Sequence, residues 1–115
     1  MVTRKAKTLA HYQFPSDWTP QEISAWLQVT KRVQQAKDEL RIVVLVTGVF
    51  DLLHEEHINF LRKARNAGNY LLVGVESDFR VRAMKGPERP IYAQDRRVQD
   101  IIATGIVDDV EILPV

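Results

Sequence analysis

The chain has 115 residues, close to the common size of one domain, and its 45% hydrophobic and 27% charged shares are those of an ordinary globular protein. A formal net charge of +1 gives no overall argument for nucleic acid or a membrane surface as partner. Cysteine is absent, which excludes disulfides and thiolate metal sites; no stretch approaches transmembrane length, and the basic start Met1–Lys7 lacks a secretory signal's apolar core, so a cytoplasmic protein is expected.

Residues 1–16 carry no clear period and read as a mobile lead-in. Thr19-Pro20-Gln21-Glu22 predicts a helix start, with threonine capping, proline at the first helical position and glutamate reaching back. Ile23, Trp26, Leu27, Val33, Ala36 and Leu40 then recur at helical spacing. Residues 1–40 thus form an N-terminal extension whose amphipathic helix lies on the domain or on a partner. The apolar run Arg41 to Val46, rich in β-branched residues, predicts a strand covered on both faces. A turn containing Gly48 leads to a helix from about Glu55 to Ala67, with Ile58, Leu61 and Ala64 inward and Gly68 at its C′ position. Tyr70 to Val75 is a second buried strand. A short helix from Asp78 to Met84 runs into the Gly- and Pro-containing loop Lys85–Pro90. A helix from Gln94 to Thr104 carries Val98, Ile101 and Ile102 on one side, and Ile106 to Leu113 is a third strand. This alternation predicts right-handed βαβ units, an α/β domain over 41–115 and a mostly parallel sheet.

The segment Thr47 to His57 is chemically the most telling. His54 and His57 share a helix face at i, i+3, directly beyond a buried strand. A helix N-terminus offers unpaired N–H groups and a positive dipole end, and the carboxyl end of a parallel strand is the usual ligand crevice. Two imidazoles there add donors aimed at the same anion. A zinc site is the weaker reading, because no third ligand stands at helical or hairpin spacing. Gly48 serves a tight turn and lets backbone approach a phosphate. Asp51 either stabilises the turn or holds a histidine tautomer. Lys85 is a loop cation. Arg97, near a helix start, opposes the helix dipole and thereby hints at an anion nearby. Arg80, Arg82, Arg89 and Arg96 add to the local basicity after the second strand.

Gly48-Val49-Phe50-Asp51-Leu52-Leu53-His54-Glu55-Glu56-His57 resembles the G-x-F-D-x-x-H-x-G-H signature of the cytidylyltransferase-like nucleotidyltransferases. The similarity continues through Gly68–Val75, Ser77-Asp78, Val81–Gly86, Arg89-Pro90-Ile91, Asp95–Arg97 and Val107-Asp108, and spans Ile42 to Leu113. The stretch Lys85-Gly86-Pro87-Glu88-Arg89-Pro90-Ile91 is most like the heptose-phosphate adenylyltransferase branch, with glycerol-phosphate cytidylyltransferases next. The resemblance implies a Rossmann-like three-layer α/β/α fold. It also implies transfer of a nucleotidyl group from ATP or CTP to a phosphorylated sugar or alcohol. Pyrophosphate would leave, and Mg2+ would accompany the triphosphate without side-chain metal ligands. His54, His57 and Lys85 would be the catalytic residues, contacting the phosphates. Thr47, Gly48, Val49 and Phe50 would line the nucleotide crevice, and Arg97 would join them. Homodimers are common in the family.

Two departures stand out. Glu56 replaces the signature's glycine, and a like charge at about 4 Å is worth about 4 kcal/mol of repulsion at an effective dielectric near 20, before screening. The family sheet also continues into two further strands and an R-T-x-G-I-S-T-T-like motif that this sequence lacks. The sheet is therefore expected to look truncated after the third strand, leaving the first strand without one neighbour unless the 19–40 helix or another subunit covers it. A degenerate module that binds nucleotide, anion or partner without catalysis is the alternative reading. A class I tRNA synthetase fragment shares the histidine-turn logic but not the flanking matches.

Overall fold

Two apolar runs build the centre of the molecule. The computed structural model describes residues 2–5 and 19–113, and within them Val43–Gly48 (β2) and Tyr70–Val75 (β3) pair in parallel, from Val43 opposite Tyr70 to Gly48 opposite Val75. Every residue of β3 is buried, as a continuous β-branched and leucine-rich run demands when both faces are covered. Asp109–Ile112 (β4) adds in parallel on the far side of β3. The three expected parallel strands are therefore present.

A fourth strand was not foreseen. Val2–Lys5 (β1) pairs antiparallel with β2, Val2 opposite Thr47 and Lys5 opposite Val44, giving the order β1-β2-β3-β4. This corrects the mobile lead-in for these four residues; the rest of that segment lies outside the described residues. It also supplies the neighbour that β2 was expected to lack. Four residues are too few to show a period, and backbone pairing leaves no side-chain signature.

The helix Pro20–Asp38 (α1) begins as its sequence dictates. Thr19 Oγ1 accepts from the Glu22 N–H at 3.2 Å, and Glu22 Oε1 accepts from the Thr19 N–H at 3.2 Å. Its buried stripe is Trp26, Val29, Thr30, Val33 and Ala36, packed on Val43, Tyr70 and Leu72. Leu27 and Leu40, expected in that stripe, are exposed. Leu27 stands one residue, about 100°, off the stripe. Leu40 follows the helix with φ of 61°. The helix thus covers a face of the sheet; β1 covers the edge. Arg32 grips the Asp109 carboxylate with two hydrogen bonds, at 2.7 and 2.9 Å, while the Tyr70 hydroxyl donates to the same carboxylate. Burial and that hydrogen bond raise the Tyr70 pKa, so the phenol stays protonated and keeps donating.

The opposite face of the sheet carries Glu55–Asn66 (α2) and Gln94–Ala103 (α4). Leu61, Ala64 and Ile101 meet Val44, Val46, Leu71, Val73 and Val75 there. Full burial of one such valine or leucine contributes about 1.5–3 kcal/mol. Helices on both faces make the expected three layers. Between β3 and α4 runs the short helix Asp78–Lys85 (α3), capped by Ser77, whose hydroxyl accepts from the Arg80 N–H at 3.1 Å. Gly68 follows α2 at the expected place for a different reason. It is not left-handed; a Cβ there would lie 2.5 Å from the Ile42 carbonyl oxygen and 2.7 Å from Val44 Cγ2. The glycine lets the chain press against the start of β2. Among the described residues no helix is long and apolar enough to cross a membrane.

Candidate active site

The turn between β2 and α2 is strained and anchored. Phe50 and Leu52 have φ of 53° and 49°, left-handed values that cost non-glycine residues about 1–2 kcal/mol each. Three contacts hold them. The Phe50 side chain is 2% exposed within the core, its ring 5.7 Å from that of His57. Asp51 accepts from the Ile91 and Tyr92 N–H groups at 2.7 and 2.9 Å. Arg97 Nη1 donates to the Val49 carbonyl at 2.8 Å. Asp51 therefore clamps a distant loop and holds no histidine tautomer. Burial pushes its pKa up, but the two backbone donors and Arg97 outweigh this and hold it below the ordinary 3.8.

His54 is the N-cap of α2. Its Nδ1 accepts from the Glu56 N–H at 3.2 Å, and His57 Nδ1 accepts from the His54 N–H at 3.3 Å. The rings stack with centroids 4.0 Å apart and planes 25° apart. An Nδ1 that accepts carries no proton, so this pattern assigns both neutral rings the Nε2–H form. Burial, then the neighbouring His54, lowers the His57 pKa from 6.5, against the opposite pull of Glu56 and Asp51. The helix start therefore presents two neutral N–H donors together with its own dipole.

A cleft of 560 Å³ opens at this point. The structure brings Thr47, Gly48, Val49, Phe50, His54, His57 and Lys85 to its wall. Arg97 is not among them. It is fully buried, and its guanidinium donates to the carbonyls of Tyr92, Val49 and Glu76 and to Asp78 Oδ1, all at 2.8–2.9 Å. The anion it faces is Asp78. Glu56, the expected obstacle, is exposed and does not line the cleft. Three lining residues were missed, Glu76, Met84 and Arg89. Arg89 was visible as one basic residue among several and as part of the Lys85–Ile91 resemblance, but with no site role. Glu76 follows a buried strand, and only the parallel pairing of β2 with β3 sets it beside Gly48, whose carbonyl accepts its N–H at 2.9 Å.

A larger cleft of 640 Å³ lies between α1, α3, the start of α4 and the end of β4. Glu22, Asp78, Asp95 and Glu111 line it against a single arginine, Arg82, so its field repels a polyanion. The histidine cleft is the better phosphate site. Among the described residues no group of three His, Asp or Glu could hold a metal ion. This donor set suits magnesium that keeps its waters and rides on phosphate oxygens, and not a protein cage.

The cytidylyltransferase-like family model matches residues 45–114, more than half of the chain and all of this site. The chain belongs to the cytidylyltransferase-like family. It is 41% identical over 81 residues to the bifunctional protein HldE of Psychromonas ingrahamii, covering 70% of this chain and 17% of that protein. With HldE of Syntrophotalea carbinolica it shares 39% over 72 residues, covering 63% of this chain and 15% of the other. The chain thus spans less than a fifth of the length of the curated relatives it matches. A solved structure of the lipopolysaccharide core biosynthesis protein from Thermoplasma volcanium superposes with a TM-score of 0.57 at 33% identity, covering 63% of this chain and 57% of that one. The cytidylyltransferase-like region thus begins inside β2 and takes in the histidine turn, Lys85 and Arg89 together.

Proposed function

We propose that this cytidylyltransferase-like chain transfers a nucleotidyl group from ATP or CTP to a phosphorylated sugar or alcohol. The observation that carries the reading is the convergence of His54, His57, Lys85 and Arg89 on one cleft at the N-terminus of α2. A phosphate oxygen of the acceptor attacks the α-phosphorus, and the bond from that phosphorus to the bridging oxygen breaks as pyrophosphate leaves. Such a transfer asks the protein for in-line placement and positive charge more than for covalent chemistry. The Nε2–H groups of His54 and His57 donate to the α-phosphate oxygens as charge grows there. Lys85 and Arg89, exposed and without an ion pair to a described residue, take the outer phosphates. Magnesium bound to the triphosphate supplies further charge neutralisation. Losing one such donor costs about 3–4 kcal/mol of barrier, or roughly 100- to 1000-fold in rate. A reaction that draws on ATP or CTP fits a cytoplasmic setting.

The test is pyrophosphate release from ATP or CTP with Mg2+ across a panel of sugar and alcohol phosphates, with His57→Ala and Lys85→Ala as controls. Absence of both turnover and triphosphate binding would reject the reading. A binding module without catalysis is the second reading; Glu56 stands at the second helical position in place of the signature's glycine, although its exposed side chain lies outside the cleft. If Glu56→Gly creates nucleotide affinity that the parent lacks, the degenerate module is the better description.

A further inference from the structure

We infer that Glu76 is a specificity residue that accepts hydrogen bonds from a vicinal diol on the ligand of this cleft. The inference rests on the proposed nucleotidyl transfer and adds what the site selects besides phosphate. Glu76 is the first residue after β3, and it lines the same cleft as His54, His57, Lys85 and Arg89. Its backbone is fixed from both sides. The N–H donates to the Gly48 carbonyl at 2.9 Å, and the carbonyl accepts from Arg97 Nη1 at 2.8 Å. The side chain therefore stands on an immobile base. No hydrogen bond or ion pair joins its carboxylate to a described residue.

An unpaired carboxylate in a cleft built for a polyanion repels that polyanion, so it needs a donor of its own. Asp51, the other carboxylate there, already has two backbone donors; Glu76 has none. The topology says which ligand group reaches it. In β2-α2-β3 the first turn takes phosphate at the helix start, and an acid at the end of the second parallel strand stands where nucleotide-binding βαβ units bond sugar hydroxyls. A carboxylate has two oxygens and only accepts, which matches two adjacent hydroxyls. The diol belongs to the nucleotide ribose or to the sugar of the acceptor.

The experiment measures calorimetric affinity for Mg2+-tripolyphosphate, for ATP and CTP, and for their 2′-deoxy and 3′-deoxy counterparts, in the parent chain, Glu76→Ala and Glu76→Gln. A second arm adds glucose 1-phosphate or 2-deoxyglucose 1-phosphate to the nucleotide-loaded protein. With the ribose as source, the parent favours the ribonucleotide by roughly tenfold. Glu76→Ala then erases that preference and leaves tripolyphosphate bound as well or better, and Glu76→Gln keeps part of it. With the acceptor as source, the same pattern appears only in the sugar-phosphate arm. Equal loss of tripolyphosphate and nucleotide in Glu76→Ala, a changed Mg2+ requirement alone, or no hydroxyl preference in either arm overturns the inference while nucleotide binding stands. If the parent binds neither tripolyphosphate nor nucleotide, the proposed function falls and this inference falls with it.

Discussion

Replacing Arg97 separates a role in the frame from a role on the ligand. The guanidinium is fully buried and makes four hydrogen bonds, three to carbonyls and one to Asp78. Arg97→Met keeps most of the volume and removes all four donors. Stripping one partner from a buried ion pair costs about 3–5 kcal/mol, and the quarter exposure of the Asp78 side chain argues for the lower part of that range. Three orphaned carbonyls add about 1 kcal/mol each. The resulting loss of about 6 kcal/mol moves the urea midpoint down by about 3 M for a slope near 2 kcal/mol/M. Arg97→Lys recovers only part, since an ammonium cannot match a planar fork. Equilibrium urea unfolding followed by tryptophan fluorescence reads the effect. An unchanged midpoint in Arg97→Met, together with a tenfold drop in triphosphate affinity, would show that the residue acts on ligand and that the staple is secondary.

Other consequences are equally concrete. Gly68→Ala forces a Cβ to within 2.5 Å of the Ile42 carbonyl oxygen and lowers stability by about 1–3 kcal/mol; an unaltered thermal midpoint would contradict that close approach. Asp51→Ala frees the Ile91 and Tyr92 amides, which should lose hydrogen-exchange protection ahead of the rest of the chain. Because the Asp51 pKa is depressed, its contribution is complete above pH 3.8 and is lost as pH falls through the lower folded value. The His57 pKa is also depressed, so the unfolded chain takes up its proton first and stability declines as pH drops below 6.5. An NMR titration should place the His57 midpoint below 6.5 and show it rising when tripolyphosphate binds; a midpoint at or above 6.5 in the free protein removes the basis for a neutral pair.

What the sequence disclosed follows the reach of local physics. The α1 capping box needed only residues three apart, and it formed as read. Both buried strands declared themselves by apolar runs, and α2 began within its expected turn. Interactions between remote segments were not legible. The Asp51 clamp joins positions 40 and 41 residues apart, and Arg97 reaches Val49 across 48. An arginine at a helix start suggests a nearby anion, but nothing local signals that Asp78, brought there by the β3-α3 connection, is that anion. Glu76 was silent for the same reason. Its neighbours are ordinary, and its place beside Gly48 exists only once β2 and β3 have paired. β1 was hidden because pairing at a sheet edge depends on backbone donors that every sequence possesses.

Those long-range bonds have one logic. The cleft is walled by three segments: the end of β2 with the turn and helix start that follow it, the first residue after β3, and the end of α3, where the structure places the expected loop cation Lys85, with the loop beyond. Arg97 touches each of them, through Val49, through Glu76 with Asp78, and through Tyr92. Asp51 ties the first segment to the third a second time. The left-handed Phe50 and Leu52 are held because the turn is fixed at both ends, so its strain cannot relax without breaking buried hydrogen bonds. Lys85 and Arg89, by contrast, are exposed and form no ion pair with a described residue. A fixed amide and imidazole cradle with two exposed cations in its wall suits the proposed transfer at phosphorus. In that reaction the donors facing the α-phosphate would have to be placed before the charge develops, whereas those on the departing pyrophosphate would have to let it go.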